Sequence, residues 1–196
     1  RDITLYLPLG RAVSIEAITI DLEAKIEAAT PYRVKKPVVY YGSSRTQGIG
    51  ADNPGLSYQA MLGRWLDADF VNLGFSGNGL GDPEVAQAIC QMDPSCVVLD
   101  FWANPNPKVY EEKLPAFTEI LRKKFPLLPI LVTSPFYYSG EATSSGTAGS
   151  QNAKRSAARQ FVEARRQAGD EKIGFVDGLE LLGKEQSFGL VDGVHC

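Results

Sequence analysis

Ser43 and Ser44 follow an unbroken apolar run, Val38-Val39-Tyr40-Tyr41, and the glycine that closes it. A hydroxyl in that position is a candidate nucleophile, provided that a base lies within reach. His195 is the chain's single histidine, so composition alone assigns it as the general base of any Ser/His chemistry. Asp192 shares the segment Asp192-Gly193-Val194-His195. One short turn there would bring a carboxylate to the imidazole and hold one ring tautomer. Asp100 and Asp177 each close another apolar run and are rivals for that acid. Asp192 is preferred because the chain itself keeps it beside His195.

Residues so far apart need a scaffold that delivers them to one edge. Bulky residues in succession, bounded by glycine, read as a strand buried on both faces of a parallel sheet. Similar runs recur at Phe70–Leu73, Cys96–Phe101, Pro129–Thr133 and Ile173–Val176, with helical periodicity between them. After a Ser57 cap, Tyr58, Met61, Leu62, Trp65 and Leu66 form one stripe, which places Trp65 in the core. Asp82-Pro83 opens a second helix with Val85, Ile89 and Met92 inward. Leu114, Phe117, Ile120 and Leu121 mark a third, which Pro115 should kink. Asn152 to Ala168 is the fourth, with Ala157, Phe161, Ala164 and Ala168 inward and Lys154, Arg155, Arg159, Arg165 and Arg166 on a solvated face. The alternation predicts a doubly wound α/β fold in three layers, α/β/α, with ligands bound beyond the carboxyl ends of the strands. Ser134 to Ser150 reads as a long loop at that edge, a lid or a substrate wall. Its Phe136, Tyr137 and Tyr138 either stack on substrate or pack the loop down.

Gly74, Gly77, Gly79 and Gly81 follow the second strand without the spacing of a dinucleotide fingerprint. Gly77 makes better sense as a backbone N–H that must approach a developing oxyanion. Asn104-Pro105-Asn106-Pro107 reads by itself as a rigid turn. The Gly-x-Ser-x-Gly elbow of α/β-hydrolases is absent at both Ser44 and Ser76.

Four blocks then occur in order: Gly42-Ser43-Ser44-Arg45-Thr46-Gln47-Gly48, Asn72-Leu73-Gly74-Phe75-Ser76-Gly77-Asn78-Gly79, the asparagine of Trp102-Ala103-Asn104-Pro105, and Asp192-Gly193-Val194-His195. Together they resemble the blocks of the SGNH, or GDSL-like, esterases from Pro37 to the chain end. The resemblance implies a five-stranded, flavodoxin-like parallel sheet over residues 35–196. It also implies Ser44 as nucleophile, His195 as base and Asp192 as orienting acid, with an oxyanion hole from the N–H groups of Ser44 and Gly77 and the amide of Asn104. Ser43 and Pro105 stand where the family usually has aspartate, and Asn106 is an alternative source of the amide. The implied activity is hydrolysis of short-chain carboxylic esters through an acyl-enzyme, with carbohydrate deacetylation preferred. The alternatives are a lipid or phospholipid acylhydrolase and a catalytically silent glycan-binding module.

The 196 residues are 44% hydrophobic and 22% charged, which suits one α/β domain with a full core. A net charge of −3 without a basic, aromatic-interleaved patch argues against nucleic acid as a partner. No apolar run reaches the ~20 residues that span a bilayer. No cofactor is called for, and three cysteines with one histidine make a poor zinc set. Cys90 and Cys96 are expected as free thiols. The first residue is Arg1, which fits removal of a leader or upstream region and says little about compartment; a secreted or periplasmic location is slightly favoured, with the cytoplasm as the alternative. Oligomeric state is not legible in the sequence. Ile3, Leu5, Leu7 and Leu9, and later Ile18, Ile20 and Leu22, alternate as half-exposed antiparallel strands do. Residues 1–34 are therefore expected to be a β-rich segment, the tail of a preceding module, with Thr30 to Pro37 as linker. Relatives continue into a closing helix, so the chain is expected to stop short at Cys196.

Overall fold

The computed structural model describes residues 2–195. Five strands, β1 (Val34–Gly42), β2 (Ala68–Gly74), β3 (Cys96–Asp100), β4 (Ile130–Thr133) and β5 (Ile173–Val176), form one parallel sheet in the order β2-β1-β3-β4-β5. Parallel neighbours require crossovers. Helices supply them: α2 (Tyr58–Leu66), α3 (Pro83–Ile89), α4 (Pro107–Lys124) and α5 (Ser145–Gln167), with short α1 (Ser44–Gln47) and α6 (Gly178–Leu181) at strand ends. Successive side chains of β1 point to opposite faces. Tyr40 meets Tyr58 of α2 edge-on at 5.5 Å, whereas Tyr41 stacks on Phe117 of α4 at 4.8 Å. Hence α2 covers one face, and α4, packed between α3 and α5, covers the other. The core on the α4 side joins Tyr41, Phe101, Tyr110, Leu114, Phe117 and Leu121, all fully buried. Each such side chain contributes about 1.5–3 kcal/mol by leaving water.

The winding reverses between β1 and β3, which are hydrogen-bonded neighbours. At such a switch point the loops beyond the two strands diverge and leave a crevice. Ser43 and Ser44 follow β1 there, and Asn104 follows β3.

Several expectations change. β1 begins at Val34, inside the expected linker, and its register with β2 slips between Val34 and Val38. Pro37 lies within that slip and has no N–H to give a ladder. Residues 2–33 contain no strand, and Ile3, Ile18, Leu22 and Ile26 are exposed. Alternation marks a face that needs a partner sheet, and no strand among the described residues pairs with it. Trp65 is 71% exposed, and α2 instead buries Gln59, Ala60 and Gly63. A Cβ on Gly63 would lie 3.0 Å from Ala68 O and 3.2 Å from the Phe70 ring, so α2 sits too close to β2 for large residues between them.

α4 runs unbroken through Pro115. The Gly/Ser/Thr tract expected as loop is the start of α5, capped by Ser144 Oγ, which accepts from Thr147 N–H at 3.2 Å. The cationic face of α5 is largely engaged rather than solvated. Arg155 binds both oxygens of Glu141 and the carbonyls of Pro135 and Phe136, Arg159 pairs with Asp177, and Lys154 is only 3% exposed. Periodicity identifies a polar face without saying which carboxylates other loops bring to it. Cys90 and Cys96 are free thiols, and Cys196 lies outside the described residues.

Candidate active site

The chain turns sharply after β1, because Gly42 passes so close to β3 that a Cβ would lie 2.7 Å from Asp100 O and 1.9 Å from Thr46 Oγ1. Ser44 is the first residue of α1, so its N–H has no acceptor within the helix. The turn is clamped from below. Asp100 accepts from Thr46 Oγ1 at 2.9 Å, Tyr58 OH at 3.2 Å, Trp102 Nε1 at 2.8 Å and Thr133 Oγ1 at 2.6 Å. Gln59 Nε2 donates to Thr46 O at 2.6 Å. Arg45, 6% exposed, lies over the Trp102 ring at 3.9 Å and the Phe136 ring at 4.7 Å and donates to Tyr138 OH. Phe136 and Tyr138 thus pack their loop down onto Trp102 and Arg45.

His195 arrives from the other end of the chain. Its Nε2 lies 2.7 Å from Ser44 Oγ, and its Nδ1 lies 2.7 Å from Asp192 Oδ2. An ionised carboxylate only accepts, so Nδ1 carries the proton and Nε2 is left as the acceptor for the serine hydroxyl. The other carboxylate oxygen of Asp192 accepts the backbone N–H groups of His195 at 2.7 Å and Val194 at 3.0 Å. These bonds, the imidazole first, pull the Asp192 carboxyl down to about 2. The loop closes on itself through Val191 N–H to His195 O at 2.8 Å. It is tied to the turn Ser139–Ala142 by Ser139 N–H, which donates to Gly193 O at 3.1 Å.

The rival acids serve elsewhere. Asp100 holds the serine turn from beneath, and Asp177 caps α6 and pairs with Arg159. Asn106 is engaged as the cap of α4, accepting Val109 N–H at 3.0 Å. Asn104 accepts Gly79 N–H through Oδ1 at 3.0 Å, and among the described residues its Nδ2 has no partner. Gly77 adopts φ +74° at an open loop tip, a conformation that glycine takes without strain. The preceding Ser76 N–H is fixed by Gln47 Oε1 at 3.0 Å, which ties this loop to the serine turn.

The model of the GDSL-like lipase/acylhydrolase family matches residues 35–196. The chain belongs to that family. Among solved structures, a GDSL-like lipase from Bacteroides ovatus ATCC 8483 is 32% identical with a TM-score of 0.78, covering 86% of this chain and 49% of its own. The salicylyl-acyltransferase SsfX3 from a tetracycline biosynthetic pathway is 24% identical with a TM-score of 0.70, covering 79% of this chain and 46% of its own. A family two carbohydrate esterase from Clostridium thermocellum, solved with cellohexaose, shares 17% identity and a TM-score of 0.61 over 78% of this chain and 56% of its own. The chain therefore spans about half the length of these proteins, and the last two likenesses speak to the fold alone. Among curated proteins none matches.

Within this GDSL-like chain, sequence reasoning passed over Arg45, Thr46 and Gln47, although they share a block with Ser44. Each was visible as a polar residue in a segment that must be buried beneath the crevice, which signals a structural hydrogen bond. No helix is long and apolar enough to cross a membrane among the described residues.

Proposed function

We propose that this GDSL-like protein is a serine esterase that hydrolyses short-chain carboxylic esters by two-step acyl transfer. The observation that carries the reading is the 2.7 Å approach of Ser44 Oγ to His195 Nε2 across a separation of 151 residues, with Asp192 on the far side of the ring. His195 takes the Ser44 proton as Oγ attacks the ester carbonyl, then returns it to the departing alcohol. Water, deprotonated by the same ring, releases the acid. The N–H groups of Ser44 and Gly77 and the Nδ2 of Asn104 are the donors for the tetrahedral oxyanion, each worth on the order of 10²–10³ in turnover. Carbohydrate deacetylation is the preferred substrate reading. It is supported by the polar side chains beside Asn104, where Ser144, Thr147 and Gln151 line the groove.

The test is labelling by a fluorophosphonate followed by an acyl-length series of 4-nitrophenyl esters. Wild type should be labelled at Ser44 and turn over acetate fastest, and Ser44→Ala should lose both properties. Turnover that survives Ser44→Ala overturns the nucleophile, and rates that climb with acyl length favour a lipid acylhydrolase instead. An unlabelled serine with glycan binding retained would favour a silent binding module.

We also read residues 1–34 as the tail of a β-rich module, because most of their alternating apolar side chains, Ile3, Leu5, Leu7, Ile18, Ile20 and Leu22, are exposed. Proteolytic removal of this segment should leave the melting transition of residues 35–196 in place; its collapse would make the segment part of the catalytic domain.

A further inference from the structure

An open groove of about 620 Å³ runs beside Asn104, over the first turns of α5 and under Tyr138. Its size falls within the roughly 300–1,000 Å³ of small-molecule sites. Lys154 and Gln151 stand in its wall, only 3% and 5% exposed. Neither side chain makes a hydrogen bond among the described residues, Lys154 has no ion pair there, and Gln151 Oε1 is buried without a partner. A largely desolvated cation without a counter-charge is destabilised, and buried polar groups are otherwise almost always paired.

The charges around Lys154 do not neutralise it. Arg45 and Arg155 add to the positive field. Glu141 is held bidentately by Arg155, and Asp100 is surrounded by four donors beneath the serine turn. Arg45 itself leaves Nε and Nη2 unpartnered among the aromatic rings. Gly146 and Thr147 bring the N-terminus of the 23-residue α5 to the same groove, with no acidic residue in its first turn. Thr147 N–H is taken by the Ser144 cap, and the remaining first-turn N–H groups of a long helix favour negative charge at that end. Burial first, then Arg45 and Arg155, draw the Lys154 ammonium down to about 8, so it is still mostly protonated at neutral pH. A neutral hydroxyl could donate to Gln151 Oε1 but would leave that charge uncompensated, whereas a carboxylate compensates it and can accept from Gln151 Nε2 rather than pair with Oε1.

We infer that this groove is a subsite for a carboxylate carried by the ester substrate, on its acyl or its alcohol part, with Lys154 as the counter-ion. The inference rests on the reading of Ser44 as nucleophile, since Asn104 is what joins the groove to the reacting carbonyl.

Two ester pairs separate the sources: 4-nitrophenyl hemisuccinate against 4-nitrophenyl butyrate for the acyl part, and 3-acetoxybenzoate against phenyl acetate for the alcohol. In wild type one pair should show kcat/KM about tenfold or more in favour of the anion, the scale of a charged hydrogen bond. Lys154→Met should bring that ratio close to one while melting as a folded protein. Lys36→Met, which removes a cation from an exposed pair with Asp93, should keep the ratio. Preference for the neutral ester in both pairs, or a preference that survives Lys154→Met, overturns the subsite. Should no ester be turned over, the serine reading fails and calorimetric titration of the Ser44→Ala protein with succinate decides the groove. Binding that disappears on adding Lys154→Met supports the subsite, and its absence at the start overturns it.

Discussion

The serine turn and the histidine loop meet at one hydrogen bond but are held by opposite means. Around Ser44, residues Ser43 and Thr46 are fully buried, and β3, β4 and α2 all reach the turn through Asp100 or Gln59. Around His195, the side chain of Asp192 is 54% exposed and Val191 is 76% exposed. That loop is organised by bonds within residues 190–195 and by the contact with Ser139. Exposed segments with few apolar contacts open at far lower free energy than the core. The turn that carries Ser44 is thus as stable as the domain, while His195 is as stable as its own loop, and opening of the candidate site begins on the histidine side.

The contrast is broken most severely at the two glycines that flank it. Gly42→Ala drives a Cβ into backbone at Asp100 O, so it should cost on the order of 4–5 kcal/mol and abolish or strongly lower the melting transition. Gly193→Ala, at φ +81°, should cost only about 1–2 kcal/mol and lower turnover with little change in melting temperature. Similar melting curves for the two variants would refute the division into a core-clamped and a self-held half.

Asp192→Asn sharpens it next. The exchange removes the ionised acceptor at Nδ1, and turnover should fall by roughly 10²–10⁴ while the domain melts as before. A parallel collapse of stability would mean that the loop is part of the global unit.

The pH response follows from the depressed Asp192 carboxyl. A group lowered to about 2 on folding stabilises the loop fully above the ordinary carboxylate range near 4, and that contribution disappears as pH falls through about 2. The Asp192 carboxyl carbon, followed by NMR, should stay ionised at pH 3.5. A midpoint near 4 would show that the bonds from Val194 and His195 are not formed in solution.

The smallest effect is expected where neither half is touched. Trp65→Ser, on the exposed side of α2, should change stability by no more than about 0.5 kcal/mol in a denaturant titration. A large loss would return Trp65 to the core.

Much of the fold was legible because its signals are local. Five apolar runs ending in glycine or small polar residues, with helical stripes between them, were enough for a parallel three-layer sheet. Ser44, Asp192 and His195 stood out because a lone histidine leaves few choices. The mistakes share one cause. Trp65 fits a helical stripe, but the stripe that meets β2 is chosen by how closely the helix approaches, and Gly63 permits an approach that large residues forbid. The glycine-rich tract at 144–150 has poor intrinsic helix propensity, which the Ser144 cap and packing on the Ser139–Ala142 turn overcome. Alternation in residues 3–22 is a strand signal, yet a ladder also needs a second edge.

Strand and helix order, the sheet's parallel sense and the choice of His195 as candidate base were determined by residue type and spacing alone, because each depends on a few neighbours or on a count. Which carboxylate holds the serine turn, which cations of α5 are neutralised and which one is left facing the groove were decided only in three dimensions. Those outcomes depend on crossovers that bring Arg45, Asp100, Glu141 and Lys154 into one field, and no sequence period encodes which charges will meet.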